Sequence, residues 1–227
     1  MPIKISILIG AFNAADFIGE CLESIMAQSY FVDHPNDYEV LVGVDGCVST
    51  LRVLLPLREL YPNMRLFFFP VNQGIYITRN TLLAQATGDF ILTFDADDVM
   101  HPDMISNCIN VGPCIVHQDG VAFLPRNAFS SLGGWMPWRC AGDTELLNRY
   151  KKLFGALPSI PQFFTYRQHD GQLTRQPETN FGSELRNNYT ALINSNVIPD
   201  FVLPHCHTEI ITTNFMTDKI HVGMASF

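Results

Sequence analysis

Four short apolar runs, each followed by a segment of helical period, constrain this chain more than any other feature. Ile3, Ile5, Ile7 and Ile9 alternate with Lys4, Ser6 and Leu8 in a β-branched segment that reads as a mostly buried strand. Phe17, Ile18, Cys21, Leu22, Ile25 and Met26 then recur at helical spacing, with Asn13 offered as N-cap and Asp16 three residues on. Residues 38–44 predict a second strand. A second helix follows, capped by Ser49 and carrying Val53, Leu54, Leu57 and Leu60. Residues 65–69 predict a third strand, 73–87 a third helix closed by Gly88 at C′, and 90–94 a fourth strand. Strands alternating with helices imply an α/β fold with a mostly parallel sheet flanked by helices. In such sheets ligands bind outside the carboxyl ends of the strands. Asp45 ends the second strand and Asp95 to Asp98 end the fourth, so both fall at that edge.

Beyond Pro102 the pattern loosens. His101-Pro102 opens a short helix, 121–124 is a strand, and Gly133-Gly134-Trp135 is a tight turn. Residues 143–154 form a helix with Leu146, Leu147, Tyr150 and Leu153 on one face. Residues 162–167 read as a strand and 183–194 as a helix. From 198 to 227 no period stands out, and no element is assigned there.

At 227 residues the chain can bury a substantial core. Hydrophobic residues at 47% and charged residues at 16% describe a globular protein rather than a disordered one. The formal net charge of −8 argues against a broad nucleic-acid surface, since phosphate backbones are held by Lys and Arg. The run 3–10 is too short to span a bilayer and lacks a cleavage signal. Six cysteines, Cys21, Cys47, Cys108, Cys114, Cys140 and Cys206, form no CxxC pair. They are expected as free thiols in a reducing cytoplasm. His205-Cys206-His207 is a poor metal cluster, because adjacent side chains rarely aim at one ion.

The turn Phe94-Asp95-Ala96-Asp97-Asp98 places three carboxylates within four residues. Either it is a solvated acidic turn, or a hard cation relieves the repulsion. Mg²⁺ or Mn²⁺ is commonly held by one or two carboxylates, with substrate phosphates and water completing the shell.

The order of several short motifs carries a resemblance. Ile5 to Ile9 leads into Ala11-Phe12-Asn13. Then come Val44-Asp45-Gly46, Asn72-Gln73-Gly74, Arg79-Asn80, Thr87-Gly88-Asp89-Phe90-Ile91 and the acidic turn. Gly133-Gly134-Trp135, Gly142-Asp143-Thr144-Glu145-Leu146 and Tyr166-Arg167-Gln168-His169-Asp170 follow. In order and spacing the set resembles the family 2 glycosyltransferases, over about residues 3–174. The resemblance implies a GT-A fold in residues 1–174, with a donor-binding half at 1–98 and an acceptor and catalytic-base half at 99–174. Residues 175–227 would be a C-terminal extension.

The resemblance also implies roles. Ala11, Phe12 and Asn13 open onto the nucleotide, and Asp45 accepts a hydrogen bond from its base. Arg79 pairs with the diphosphate or with Asp95, or is a solvated helix arginine. Asp97 is the principal ligand of Mn²⁺ or Mg²⁺. Asp95, with Ala96 between them, meets the ribose or the metal's water shell, and Asp98 orients the turn. His169 completes the metal shell or contacts phosphate, or is an exposed loop histidine. Asp143 is the catalytic base of an inverting transfer, or an N-cap; Glu145 points elsewhere along the helix. Trp135 stacks on a sugar or is a core aromatic. The family's usual Glu-Asp stands here as Gly142-Asp143, and its Asp-Asp-Gly-Ser as Val44-Asp45-Gly46-Cys47.

The implied reaction moves a sugar from a nucleotide-diphosphate sugar, with UDP expected, to a glycan or glycolipid hydroxyl. The Gln-x-x-Arg-Trp motif of processive synthases is absent, which favours single-sugar transfer. The alternatives are glycosylation of a modified DNA base, a sugar-phosphate nucleotidyltransferase, and a non-catalytic sugar-nucleotide binder. The first is opposed by the charge. The second is opposed by Gly10-Ala11-Phe12-Asn13, which lacks repeated glycines and a lysine.

Overall fold

A computed structural model describes residues 4–117, 120–195, 208–211 and 222–225. The first half runs β1 (Ile5–Ala11), α1 (Ile18–Met26), α2 (Ser29–Asp33), β2 (Tyr38–Asp45), α3 (Val48–Leu60), β3 (Met64–Phe69), α4 (Ile75–Gln85) and β4 (Phe90–Asp95). It continues as β5 (Val99–Met100), α5 (Met104–Val111), β6 (Cys114–His117), β7 (Val121–Pro125), α6 (Arg126–Leu132) and α7 (Gly142–Phe154). The last described elements are β8 (Phe164–Thr165), α8 (Glu184–Ser195), β9 (Thr208–Ile211) and β10 (Val222–Ala225). One sheet has the order β10-β9-β3-β2-β1-β4-β7-β6. Its centre, β3-β2-β1-β4, is parallel; β7 and β9 join antiparallel at either side.

The alternation of β1 explains the layers. Ile5, Ile7 and Ile9 pack with Ile18, Leu22 and Ile25 of α1, Leu54 of α3 and Ile105 of α5. Leu8 faces the other layer, with Leu82 of α4, Phe129 of α6 and Leu146 of α7. Both faces of the central strands are therefore covered, as parallel sheets require. The polar residue in this setting is neutralised locally. Ser6 donates to Glu39 Oε1 at 2.7 Å, the Thr87 amide and hydroxyl donate to the same oxygen, and Arg65 donates to Oε2 at 3.0 Å.

Several local expectations are corrected. Asn13 does not cap α1; it has φ 52°, and the helix starts at Ile18 behind Phe17. Cys47, not Ser49, is the N-cap of α3. The third helix ends at Gln85 with Ala86 as C-cap, so Gly88 is not its C′ residue. Gly88 instead lies against β1, where its amide donates to Ser6 Oγ at 2.8 Å. The strand read at 162–167 shrinks to Phe164–Thr165, which among the described residues pairs only with Val99–Met100. The short helix expected at His101-Pro102 begins at Met104. Residues 198–207, including the His205-Cys206-His207 cluster, lie outside the described residues, as do 212–221, 226 and 227. The remainder of the unassigned tail supplies β9 and β10. Among the described residues no helix is long and apolar enough to cross a membrane.

The close approach at residue 88 gives a test. A Cβ there would sit 2.6 Å from the Ser6 nitrogen and 2.8 Å from the Ile5 carbonyl carbon. Gly88→Ala is expected to destabilise the fold by about 1–3 kcal/mol in urea unfolding. Gly19→Ala, where nothing lies within 4 Å, should be neutral or stabilising by about 0.5–1 kcal/mol.

Candidate active site

The chain steps from β1 to β2 to β3 in one direction and returns to place β4 on the other side of β1. That reversal opens a crevice at the carboxyl ends of β1 and β4. A cavity of about 720 Å³ occupies it. Ala11, Phe12, Asn13, Asp45, Arg79, Asp95, Ala96, Asp97, Asp143 and His169, all singled out from the sequence, line this one cavity. Phe12 presents an apolar surface to it, 52% exposed, and Ala11 is buried at the strand end.

Asp45 is 3% exposed, and both of its oxygens are engaged. Oδ1 accepts from the Gln73 amide at 2.7 Å and Oδ2 from the Gly74 amide at 2.8 Å. The carboxylate therefore fixes the turn that begins α4, and each oxygen keeps a lone pair for a further donor. Burial pushes its pKa up, although the two amides and the charge of Arg139 oppose this.

Arg79 is the structural centre of the site. Its side chain is 2% exposed, so the solvated-arginine reading is overturned. Nη2 donates to Asp95 Oδ1 and Nη1 to Asp143 Oδ1, each at 2.8 Å. Burial alone would lower the guanidinium pKa, but the two carboxylates outweigh it and the net shift is upward. Asp143 receives two more donors: Trp135 Nε1 to Oδ1 at 3.1 Å, and the Tyr76 hydroxyl to Oδ2 at 3.1 Å. Asp143 is not the N-cap of α7. That position is Ala141, at φ 62°, and it makes no side-chain cap. The Asp143 side chain turns to Arg79 rather than back to the helix amides.

Asp97 and His169 also meet, with Oδ2 and Nε2 2.8 Å apart. Phe17 lies beside the imidazole, with ring centres 4.6 Å apart and planes tilted by 36°. The Gly171 amide donates to Nδ1 at 3.2 Å, which puts the proton of a neutral ring on Nε2. Gln172 holds this turn through its contacts with the His169 amide and the Arg167 carbonyl. An oxygen and an imidazole nitrogen facing one cavity suit a divalent cation whose remaining positions are filled by phosphate oxygens and water. Coordination through Nε2 would move the ring proton to Nδ1 and release the Gly171 contact. Asp95 lines the same cavity, with its Oδ1 accepting from Arg79. Among the described residues no three His, Cys, Asp or Glu side chains converge on a point.

The repulsion anticipated in the acidic turn is thus relieved in separate ways. Asp95 is paired with Arg79 and Asp97 with His169. Asp98 is 1% exposed and accepts from the Arg167 amide at 2.9 Å, as expected of a residue that orients the turn. Burial, with the charges of Asp95 and Asp97, pushes its pKa up to about 8 against that amide.

Trp135 is 1% exposed and lies beside Phe129, so it is a core aromatic and not a sugar platform. Its backbone is held at both ends by the Asn80 amide group, at 2.7 and 2.8 Å. Glu145 does point elsewhere: it pairs with Arg149, which also donates to the carbonyls of Leu132 and Gly134. Sequence reasoning missed Tyr76 as a partner of Asp143. The available signal was its spacing of three from Arg79, which puts both on one face of α4.

Removing the central cation should leave Asp143 with neutral donors only. Arg79→Leu is expected to lose about 3–5 kcal/mol of stability in urea unfolding. The loss should be partly relieved in Arg79→Leu/Asp143→Asn; strictly additive losses would show that the two groups are not coupled.

The sequence model described as Glycosyl transferase family 2 matches residues 6–111. An uncharacterized glycosyltransferase of Nostoc sp. is 31% identical over 109 residues, which is 48% of this chain and 32% of that protein. Chondroitin synthase of Escherichia coli is 33% identical over 107 residues, 47% of this chain and 15% of the synthase. The chain therefore spans less than a third of the length of either relative. Among solved structures, the mannosyltransferase PcManGT of Pyrobaculum calidifontis, in complex with GDP-Man and Mn²⁺, superposes with a TM-score of 0.63. That match is 19% identical and covers 79% of this chain and 62% of that one. The strand order, the cavity at the β1–β4 edge and these matches agree: residues 6–111 of this chain are similar to the family 2 glycosyltransferases, and the chain has the GT-A fold.

Proposed function

We propose that the protein is an inverting, divalent-cation-dependent glycosyltransferase that moves a sugar from a nucleotide-diphosphate sugar, with UDP as the expected nucleotide, to the hydroxyl of a glycan or glycolipid acceptor. The observation that carries this reading is the single buried Arg79 joining Asp95 and Asp143 in the cavity where Asp97 and His169 also meet. A leaving-group site and a proton-accepting carboxylate are what the transfer needs side by side.

The loop Ala11-Phe12-Asn13 and Asp45 bind the nucleotide. Asp97 and His169 would hold Mn²⁺ or Mg²⁺, which when bound neutralises the diphosphate as it leaves. Arg79 holds Asp95 and Asp143 in fixed relation. Among the described residues Asp143 Oδ1 already accepts from Arg79 and Trp135, whereas Oδ2 accepts only from Tyr76. Oδ2 therefore keeps the lone pair that takes the acceptor proton. The acceptor oxygen bonds to the anomeric carbon as the bond from that carbon to the diphosphate breaks; the nucleoside diphosphate leaves with the electron pair. Gly120 helps keep Oδ2 open, since a Cβ there would stand 2.7 Å from it. The solved structure of PcManGT is in complex with GDP-Man and Mn²⁺, which supports the donor and cation classes. A cytoplasmic location fits the nucleotide-sugar donor and the free thiols of the described cysteines.

The test is nucleoside diphosphate release from a panel of nucleotide sugars with Mn²⁺. Asp97→Ala is expected to abolish metal-dependent donor binding in calorimetry. Asp143→Asn should bind donor normally but lose turnover by about 10²–10⁴-fold; wild-type turnover in that variant would refute the base assignment. Pyrophosphate release from a sugar phosphate and a nucleoside triphosphate would instead identify a nucleotidyltransferase. Donor binding without turnover would identify a non-catalytic binder.

A further inference from the structure

Trp138 and Tyr189 stack with ring centres 4.3 Å apart and planes 2° from parallel. Trp138 lies in the loop between α6 and α7, and Tyr189 on α8, beyond the stretch that resembles the family. The stack clamps α8 onto the loop that runs into Asp143. Two cations flank it and line one cavity. Arg139 follows Trp138 directly, and Arg186 precedes Tyr189 by three residues on the same helix face. Arg186 is near enough to Cys140, the neighbour of Arg139, to act on its thiol electrostatically. Both arginines line the cavity that holds Asp143.

Among the described residues these two side chains hydrogen-bond only to neutral partners. Arg139 Nη1 donates to Asn72 Oδ1 at 3.2 Å. Arg186 Nε donates to the Thr179 carbonyl at 2.9 Å, and its guanidinium lies 4.8 Å from the centre of the Phe181 ring. Among the described residues neither is ion-paired with a carboxylate. Asp45 feels the charge of Arg139, but its oxygens are already bound to the Gln73 and Gly74 amides. Glu178 reaches the cavity but is exposed and makes no ion pair with either arginine. Two guanidinium groups without an ion pair among the described residues suit an anionic ligand, which they can bind through paired N–H donors.

We infer that Arg139 and Arg186 form an anion subsite for the acceptor, which therefore carries a phosphate or carboxylate group near the hydroxyl that is glycosylated. The inference rests on the glycosyltransferase reading for the word acceptor, while the anion subsite itself rests on the two arginines. The cation and the leaving diphosphate are served by Asp97 and His169. The loop bearing Arg139 leads instead into the first turn of α7, where Asp143 receives the acceptor hydroxyl.

The experiment has two arms. In the first, transfer is compared between matched acceptors: glycerol against glycerol 3-phosphate, and glucose against glucose 6-phosphate and glucuronate. The charged member of a pair is expected to show a KM about tenfold to hundredfold lower. Preference for the phosphate esters or for glucuronate names the group. In Arg139→Gln/Arg186→Gln the ratio should collapse toward one. Equal use of charged and neutral acceptors overturns the inference. So does a raised donor KM with the acceptor ratio intact, which would assign the arginines to the donor diphosphate. In the second arm, binding of inorganic phosphate and of acetate is measured by NMR titration without donor. Saturable binding of either that is lost in the double variant supports the subsite even if no nucleotide sugar is turned over, a result that would sink the enzyme reading alone. Absence of binding together with absence of a charge preference overturns the subsite.

Discussion

The Arg79 guanidinium, buried between Asp95 and Asp143, is the interaction on which the rest of the site depends. One charge of each carboxylate comes from a different part of the chain: Asp95 ends β4, and Asp143 stands in the first turn of α7. Without a cation between them the two would repel in a partly dry setting, where screening by water is weak. With it, their separation is set by the geometry of one planar group. The fork of a guanidinium can engage two carboxylates in this way, whereas the point charge of an ammonium cannot hold the same arrangement.

That bridge works only because the sheet places its ends. The parallel register of β1 with β4 puts Gly10 opposite Asp95. Gly10 and Gly43 leave the space into which Ile75, Thr78 and Leu82 of α4 pack; a Cβ at Gly10 would fall 2.2 Å from the Ile75 side chain. Arg79 rides on that helix, so the absence of side chains at two strand positions fixes how closely its guanidinium approaches the strand ends. On the far side, the Glu145–Arg149 pair and the Asn80–Trp135 contacts hold the Gly133-Gly134-Trp135 turn, and through it the indole that donates to Asp143. Three donors, from Arg79, Trp135 and Tyr76, thus converge on the Asp143 carboxylate and fix its orientation.

Much of this was legible from residue patterns. The four central strands were placed to within a residue or two, because β-branched runs of that length with helical periods between them admit few other folds. The motif residues gathered in one cavity as anticipated, since strand ends in a parallel sheet share one edge. Capping was read less well. Asn13, Ser49 and Gly88 each had the right residue type for a helix end, but Asn13 took a left-handed turn, Gly88 lies against β1, and Ser49 falls inside α3, its hydroxyl meeting the Cys47 thiol. Trp135 could equally have been a sugar platform or a core residue, and only its packing against Phe129 and its bond to Asp143 decided between them.

The amino-acid sequence by itself determined the α/β class, the strand order's parallel core and the identity of the acidic and histidine side chains at the cavity. These follow from local periodicity and from motif order, which need no knowledge of distant contacts. Only the tertiary structure decided which charge meets which. Arg79 and Asp143 are 64 residues apart, Asp97 and His169 are 72 apart, and no periodicity encodes such pairs. For Arg79 the sequence offered the diphosphate or Asp95 as partner, and folding supplied Asp95 together with Asp143. Pairing of buried charges is settled by the distances left once the layers have packed, because in a low-dielectric interior a shift of one or two ångströms separates a bonded carboxylate from a bare one.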